Sequence, residues 1–225
     1  GSPPKDVIDQ VHEAGVPVAA LAGSPKHALR HAENGVDIVV AQGHEAGGHT
    51  GEIASMVLTP DIVDAVGPDV PVLGAGGIGS GRQVAASLAL GAKGVWTGSI
   101  WLGTEEYRNL SANHSAWETA FTRATSADTV RTRVYTGKPA RLLKTKWTEA
   151  WAEEGAPEPL PMPLQNLLVA EAHNRIVASN DPDVISMPVG QIVGRMNEVR
   201  PVADVMASLV AEFEEAVAAL NKVNG

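Results

Sequence analysis

Apolar and polar residues alternate in blocks along the first hundred residues of the chain. Some blocks are short runs of valine, isoleucine and leucine without polar alternation, which is typical of strands buried on both faces of a parallel sheet. Between them, apolar residues recur every three to four positions, which predicts helices. The pattern predicts four strands, at 16–21, 37–42, 70–77 and 94–99, each preceded by a helix.

Repeated strand–helix units predict an α/β fold with a parallel sheet, either open and doubly wound or closed as a TIM-type (β/α)8 barrel. Glycines cluster at the carboxyl ends of the predicted strands, at Gly43, Gly74, Gly76, Gly77 and Gly98. Both architectures bind ligands at that edge of the sheet. The glycines therefore indicate a ligand site there.

The strand–helix rhythm ends near residue 102. Residues 1–102 form the predicted βα units, and the polar segment 103–187 is predicted as helices and loop without strands. Residues 188–225 are predicted as C-terminal helices that pack on the barrel. Apolar positions from Val202 to Leu220 keep a spacing of three to four, and we expect this stripe to pack in the core.

Composition narrows the class of protein. The chain has 225 residues, a net charge of −9 and no cysteine. The negative charge and the absence of basic runs argue against nucleic acid and anionic membrane surfaces as partners. No apolar stretch reaches 18 residues, so we expect a cytoplasmic protein. Without cysteine, disulfides, iron–sulfur clusters and thiolate catalysis are excluded.

A candidate catalytic residue follows the second predicted strand. His49 stands directly after Gly47 and Gly48, and a neutral imidazole in a ligand site can accept a proton near pH 7. His44-Glu45 lies upstream, but the spacing H-E-x-x-x-H differs from the zinc-helix spacing, and the two glycines disfavour a helix. The sequence therefore predicts a general acid or base and no metal site.

The stretch GAGGIG, residues 74–79, matches the dinucleotide-binding pattern of glycines. That assignment also needs an acidic residue about 20 positions further on, which would bind the ribose. No Asp or Glu occurs between Gly79 and Glu105, so a nicotinamide dinucleotide is not expected. Free backbone N–H groups at the start of the following helix would still suit a phosphate.

The chain resembles the nitronate monooxygenase family, formerly called 2-nitropropane dioxygenases. The resemblance is carried by VVAQGHEAGGHTG (39–51) and VPVLGAGGIGSGRQVAASLALGAKGVWTGS (70–99), and more weakly by TGKPARLL (136–143) and PVGQIVG (188–194). It implies an FMN-dependent (β/α)8 barrel with His49 as the catalytic residue. It also implies cofactor-binding roles for Gln42, Gly47, Gly48, Gly74, Gly76, Gly77, Gly98 and Ser99.

Within that resemblance, Gln42, Gly47 and Gly48 would lie at the flavin, and the later glycines and Ser99 would receive the FMN phosphate. The family usually shows glycine–threonine–arginine–phenylalanine where this chain has residues 98–101. Ser99 keeps a hydroxyl there, and the arginine is absent. The resemblance implies oxidation of nitroalkanes or nitronates by O2 to a carbonyl compound and nitrite.

Two other functions remain open at this point. A flavin-dependent enoyl thioester reductase carries nearly the same glycine–histidine string, and its histidine would donate a proton to carbon. A flavin- or phosphate-binding barrel fragment without turnover is the alternative outside the enzymes. Barrels of the inosinate dehydrogenase type use a cysteine nucleophile, which this chain lacks.

Four predicted strands are half of a barrel. Because the last two carry the paired glycine loops expected after strands seven and eight, the four would be strands five to eight. We therefore expect an N-terminal segment or a second chain to complete the barrel. The other expected partners are a small-molecule substrate and O2.

Overall fold

The computed structural model describes residues 2–110 and 114–224. The chain forms two compact units. The first unit comprises Gly1–Glu45, Gly51–Thr97 and Ala207–Gly225, and the second comprises Ala46–Thr50 and Gly98–Met206. No helix in the described ranges is long and apolar enough to cross a membrane.

A four-stranded parallel sheet forms the centre of the first unit. The strands of the chain up to residue 97 are β1 (Ala19–Ala22), β2 (Ile38–Gln42), β3 (Gly48–His49), β4 (Val72–Ala75) and β5 (Gly94–Trp96). All except β3 belong to this sheet, in the order β1-β2-β4-β5. The four predicted parallel strands are thus confirmed, each somewhat shorter than its apolar run.

Four helices precede or connect the strands of the first unit. They are α1 (Lys5–Glu13), α2 (Pro25–Glu33), α3 (Ser55–Val66) and α4 (Gly81–Ala89). The hydroxyls of Ser24 and Ser80 cap α2 and α4 by accepting a backbone N–H in the first turn. Pro60 lies inside α3, one turn after the helix begins.

One face of the parallel sheet packs against helices. Val39 of β2 and Val72 of β4 stand side by side in the register and are fully buried with Leu58 and Ile62 of α3. Burying each of these large aliphatic side chains stabilises the fold by about 1.5–3 kcal/mol. The valine- and isoleucine-rich runs form strands here because their side chains are buried in this shared core.

The opposite face of the sheet is exposed at both edges. Leu21 of β1 is 52% exposed and Trp96 of β5 is 51% exposed. The parallel register places them two rows apart, so both side chains leave the sheet on the same face. The prediction of burial on both faces therefore fails at the edge strands, which have a neighbour on one side only.

The second unit contains a three-stranded antiparallel sheet. Its strands are β3, β6 (Thr129–Thr132) and β7 (Ala140–Leu143), in the order β3-β7-β6. Its helices are α5 (Glu105–Leu110), α6 (His114–Thr122), α7 (Lys146–Ala150) and α8 (Leu164–Ser179). The expectation of helices and loop alone for residues 103–187 was wrong at β6 and β7. These strands are short and partly polar, and they form through pairing with each other and with β3.

The predicted C-terminal helix is present as α9 (Val202–Asn221). Its apolar stripe is not a core stripe: none of its residues is fully buried, and Met206 and Leu220 are exposed. In the first unit, its Glu212 carboxylate accepts the N–H of Gly81. This polar contact, and not a buried apolar stripe, is the clearest interaction of the helix with the first unit.

Candidate active site

The loop after β2 is fixed by hydrogen bonds within the first unit. The His44 N–H donates to the carbonyl of Ile53 at 2.8 Å. The Glu45 carboxylate accepts the N–H of Ser55, the first residue of α3, at 3.0 Å, where the helix dipole favours a negative charge. The Ser55 hydroxyl lies 2.9 Å from Glu45 Oε2 and 2.9 Å from the carbonyl oxygen of Gly76. Ser55 thus ties the loop after β2 to the loop after β4.

His49 is held by the antiparallel sheet of the second unit. It pairs with Ala140 of β7. Its ring nitrogen Nε2 lies 2.6 Å from the hydroxyl oxygen of Thr136, a buried residue in the turn before β7. The Thr136 hydroxyl oxygen also accepts the N–H of Lys138 at 3.3 Å. The ring is therefore fixed through one nitrogen.

The environment of His49 favours its neutral form. Partial burial of the ring lowers the pKa of His49 below its usual 6.5, and the nearby Lys138 ammonium lowers it further. The residue as a whole remains exposed to solvent. At neutral pH the imidazole is thus uncharged, accessible and able to accept a proton.

Gly47 and Gly48 have a role within the protein itself. A Cβ on Gly47 would lie 2.7 Å from the backbone of Val189 and 2.8 Å from Gly190 N. Gly48 has a φ of +79°, a conformation that other residues rarely adopt. The predicted approach to a flavin stays a prediction, and close backbone packing already accounts for Gly47.

The loop after β4 has free backbone donors. Gly76 and Gly77 both have left-handed backbone conformations, with φ of +89° and +72°. In the described ranges, the N–H groups of Gly76, Gly77 and Ile78 donate to no backbone or side-chain acceptor. Consecutive free N–H groups of this kind form an anion-binding concavity. This loop therefore offers three donors that suit an anionic group such as a phosphate.

Two N–H groups around the start of α4 are bonded within the protein. The Gly81 N–H donates to the Glu212 carboxylate at 2.9 Å, and the Gly79 N–H donates to Oε1 of Gln83 at 2.8 Å. These two N–H groups are therefore already used within the protein, and phosphate binding at this helix start stays a prediction. Residues 76–78 offer further free donors.

Three other predicted cofactor residues differ in their surroundings. A Cβ on Gly74 would meet the Ser87 hydroxyl at 2.0 Å, so this glycine serves close helix–strand packing. A Cβ on Gly98 would enter open space. The Ser99 hydroxyl accepts the Gly190 N–H at 2.8 Å and keeps its own proton for a further acceptor.

Gln42, the last residue of β2, is half-buried. Its side-chain amide has no hydrogen-bond partner within the part of the chain that the structure describes. An amide at the carboxyl end of a parallel strand with unused donors and acceptor suits a heterocyclic ligand. The role of Gln42 at the flavin stays a prediction, and the structure brings Gln42 next to Ala75 in the register.

The sequence reasoning missed Glu45, Ser55, Thr136 and Lys138. Thr136 and Lys138 lie in the stretch TGKPARLL, whose resemblance to the family was the available signal. For Ser55 the sequence held no such signal. Among the residues that the structure describes, no three His, Asp or Glu side chains are grouped so that they could hold a metal ion.

Comparison with known proteins identifies the family. Residues 1–212 match the family model for nitronate monooxygenase. The chain belongs to the nitronate monooxygenase family. It is 51% identical over 226 residues to Rv1533 of Mycobacterium tuberculosis, which is named as a monooxygenase, covering 98% of this chain and 59% of that protein. It is 35% identical to a Bacillus subtilis protein named as a nitronate monooxygenase, covering 93% of this chain and 61% of the relative.

Solved structures agree with this membership. FabK from Thermotoga maritima is 31% identical with a TM-score of 0.84, over 99% of this chain and 69% of that one. A nitroalkane oxidase from Streptomyces ansochromogenes is 31% identical with a TM-score of 0.82, over 98% of this chain and 64% of that one. The chain spans about three fifths of the length of the two curated relatives above.

Proposed function

We propose that the protein, in its FMN-bound form, oxidises nitroalkanes or their nitronates with O2 to a carbonyl compound and nitrite. The observation that carries the proposal is His49, an accessible imidazole held through Nε2 and kept neutral by its surroundings. The α-proton of a nitroalkane is unusually acidic, so one well-placed imidazole is a sufficient base. His49 would remove this proton and leave the electron pair on the nitronate.

The residues of the first unit would hold the cofactor. The three free N–H groups of residues 76–78 would bind the FMN phosphate, and the Gln42 amide would bind the flavin ring. Gly98 and Ser99 remain predicted phosphate residues on the resemblance. When bound, FMN supplies the electron acceptor for the nitronate and the reductant for O2.

The cofactor and the activity are tested together. We expect the purified protein to show a flavin spectrum that bleaches with a nitroalkane under nitrogen, and to form nitrite when air is admitted. Cofactor released by heat should elute as FMN on a column. Elution as a dinucleotide contradicts the FMN assignment, and flavin-loaded protein that forms no nitrite from nitroalkane or nitronate contradicts the activity.

A second candidate is an FMN-dependent enoyl thioester reductase, in which His49 would donate a proton to carbon. It is favoured by the glycine–histidine string of residues 43–51, which resembles that of flavin-dependent enoyl thioester reductases. NADH consumption with an enoyl-CoA, measured beside O2 uptake with a nitronate, separates the two functions. Consumption of NADH without nitronate-dependent O2 uptake would establish the reductase.

We also propose that the parallel sheet is strands five to eight of a (β/α)8 barrel, completed by an N-terminal segment. Its support is the pair of edge strands, β1 and β5, each with one side unpaired in the sheet and with apolar side chains exposed on one face. Hydrogen exchange of the edge-strand amides tests it: they should exchange fast in the 225-residue chain alone and slowly in a longer chain. Slow exchange in the short chain alone points to a second copy that completes the sheet, if the chain is then dimeric. Slow exchange in a monomer contradicts the proposal.

A cytoplasmic location stays a prediction from the sequence.

A further inference from the structure

The two ring nitrogens of His49 have different surroundings. Nε2 lies 2.6 Å from the Thr136 hydroxyl oxygen, whereas Nδ1 has no hydrogen-bond partner in residues 2–110 and 114–224. From this asymmetry we infer that Nδ1 exchanges the proton with the substrate, while Thr136 is a positioning residue that keeps the other ring proton on Nε2. The inference rests on the proposed role of His49 as the base.

The position of Thr136 is set by its own turn. The Gly137 N–H donates to the carbonyl of Arg133 at 2.8 Å. A Cβ on Gly137 would lie 2.4 Å from the carbonyl oxygen of Leu160, so the turn is closely packed. The Thr136 side chain is buried. The hydroxyl is therefore placed before any substrate arrives, which is what a positioning group requires.

The hydrogen bonds around the Thr136 hydroxyl allow two proton arrangements. Its oxygen accepts the Lys138 N–H at 3.3 Å and lies 3.5 Å from the Lys138 carbonyl oxygen. If the hydroxyl proton points to Nε2 of His49, the neutral ring carries its proton on Nδ1. Both nitrogens are then occupied, and the ring cannot act as a base.

In the other arrangement the hydroxyl proton points towards the Lys138 carbonyl. The Thr136 oxygen then accepts the Nε2–H of His49, and Nδ1 keeps a free lone pair. Proton transfer breaks the substrate C–H bond and forms the Nδ1–H bond, with the electron pair left on carbon. The bond from Nε2–H to Thr136 is the same before and after transfer. Only in this arrangement can His49 accept the proton without a change in its hydrogen bond to Thr136.

One nearby charge acts on the His49 ring. The Lys138 ammonium disfavours the imidazolium and lowers the pKa of His49. Arg141 stands opposite Gly48, and Arg131 stands opposite Arg141. Both arginines are thus on the face of the sheet away from His49. Because a hydrogen bond to a charged group is stronger than one to a neutral group, the Thr136 oxygen favours the imidazolium against Lys138.

The first test observes the ring proton directly and does not need activity. Long-range ¹H–¹⁵N correlation spectra of the ¹⁵N-labelled chain, recorded above the pKa of His49, identify the protonated nitrogen. The His49 signals are assigned by their loss in His49→Asn. We expect the proton on Nε2, with an Nε2–H signal protected from water in the wild type and in Thr136→Ser, and lost in Thr136→Val. A proton on Nδ1 overturns the inference.

The second test uses turnover of the flavin-bound protein. Thr136→Val should lower kcat for a neutral nitroalkane by about ten- to hundredfold, with little change in KM, as expected for one lost bond to a developing charge. The acidic limb of the pH profile should move down by about half to one pH unit. Turnover of preformed nitronate should change much less, and Thr136→Ser should restore kcat and the limb.

The matched control is Thr122→Val, which removes a hydroxyl that bonds within α6 of the same unit. It should leave both measurements unchanged. A purely structural role for Thr136 predicts equal losses on nitroalkane and nitronate and an unmoved pH limb, and that result overturns the inference. An Nε2–H signal in a protein that oxidises neither substrate contradicts the proposed function and supports the ring arrangement.

Discussion

Replacing His49 by asparagine tests whether His49 is the base that removes the proton from the nitroalkane. Asparagine keeps a polar side chain near the Thr136 hydroxyl but cannot accept a proton from carbon. Loss of a general base typically lowers rates by about 10²–10⁴-fold, which corresponds to about 2.7–5.4 kcal/mol of transition-state stabilisation. An imidazole of ordinary pKa is about nine-tenths neutral at pH 7.5, and the lowered pKa of His49 increases that fraction. Nearly all wild-type molecules therefore hold the base at this pH, and the full loss should be visible.

The assay compares two forms of one substrate. Nitrite formation is measured at pH 7.5 with a neutral nitroalkane and with its preformed nitronate, using flavin-loaded protein. We expect the full loss on the nitroalkane and a much smaller one on the nitronate, whose proton is already gone. His27→Asn, an exposed position in α2, is the matched control and should behave as the wild type. Equal losses on both substrates would refute the base assignment and make His49 a substrate-positioning residue.

The pH profile of the wild type gives an independent check. Because the folded-state pKa of His49 is lowered, the base form persists to more acidic pH than in a free histidine. Activity on the nitroalkane should fall as pH decreases through a value below 6.5, and the nitronate reaction should not show this limb. An inflection above 6.5 would contradict the assigned environment.

Further predictions concern the loops and the core. Gly77→Ala should weaken FMN binding at least tenfold in a fluorescence titration because the left-handed backbone orients the free N–H groups, whereas Gly15→Ala, equally left-handed with open space around it, should not. Leu58→Ala should cost about 2–5 kcal/mol of unfolding free energy in a urea titration, and a value below 1 kcal/mol would contradict its place in the core. Gly47→Ala should lower Tm clearly, since its Cβ would meet backbone at 2.7 Å; an unchanged Tm would show that this close approach is absent.

The parallel strands were predictable because strands that are buried in a shared core have uninterrupted apolar sequences. Val39 and Val72 lie in uninterrupted apolar runs, and these runs became strands. The strands β6 and β7 have no such long apolar run in their sequences. The sequence of β6, Thr-Val-Arg-Thr, is polar at three of its four positions, and it becomes a strand through pairing with β7.

The site was predictable where its residues are adjacent in the chain. His49 and its glycines form one string, so the sequence alone indicated a catalytic group. The Thr136 contact joins positions 87 residues apart, and Glu212 reaches Gly81 across 131 residues. Such pairings depend on how the chain folds back, and no local pattern encodes them. Glu212 shows the effect most clearly, since its carboxylate accepts the Gly81 N–H at the helix start that the glycines had indicated for phosphate.

The exposed Trp96 at the edge of the parallel sheet makes the protein its own fluorescent reporter. Of the five tryptophans, all within the described ranges, Trp96 alone is exposed, and Trp117 is fully buried. A quencher such as acrylamide would therefore act first on Trp96. Any segment that covered this face of the sheet would shift the emission to shorter wavelength and slow the quenching. The state of the sheet can thus be followed in solution without a label.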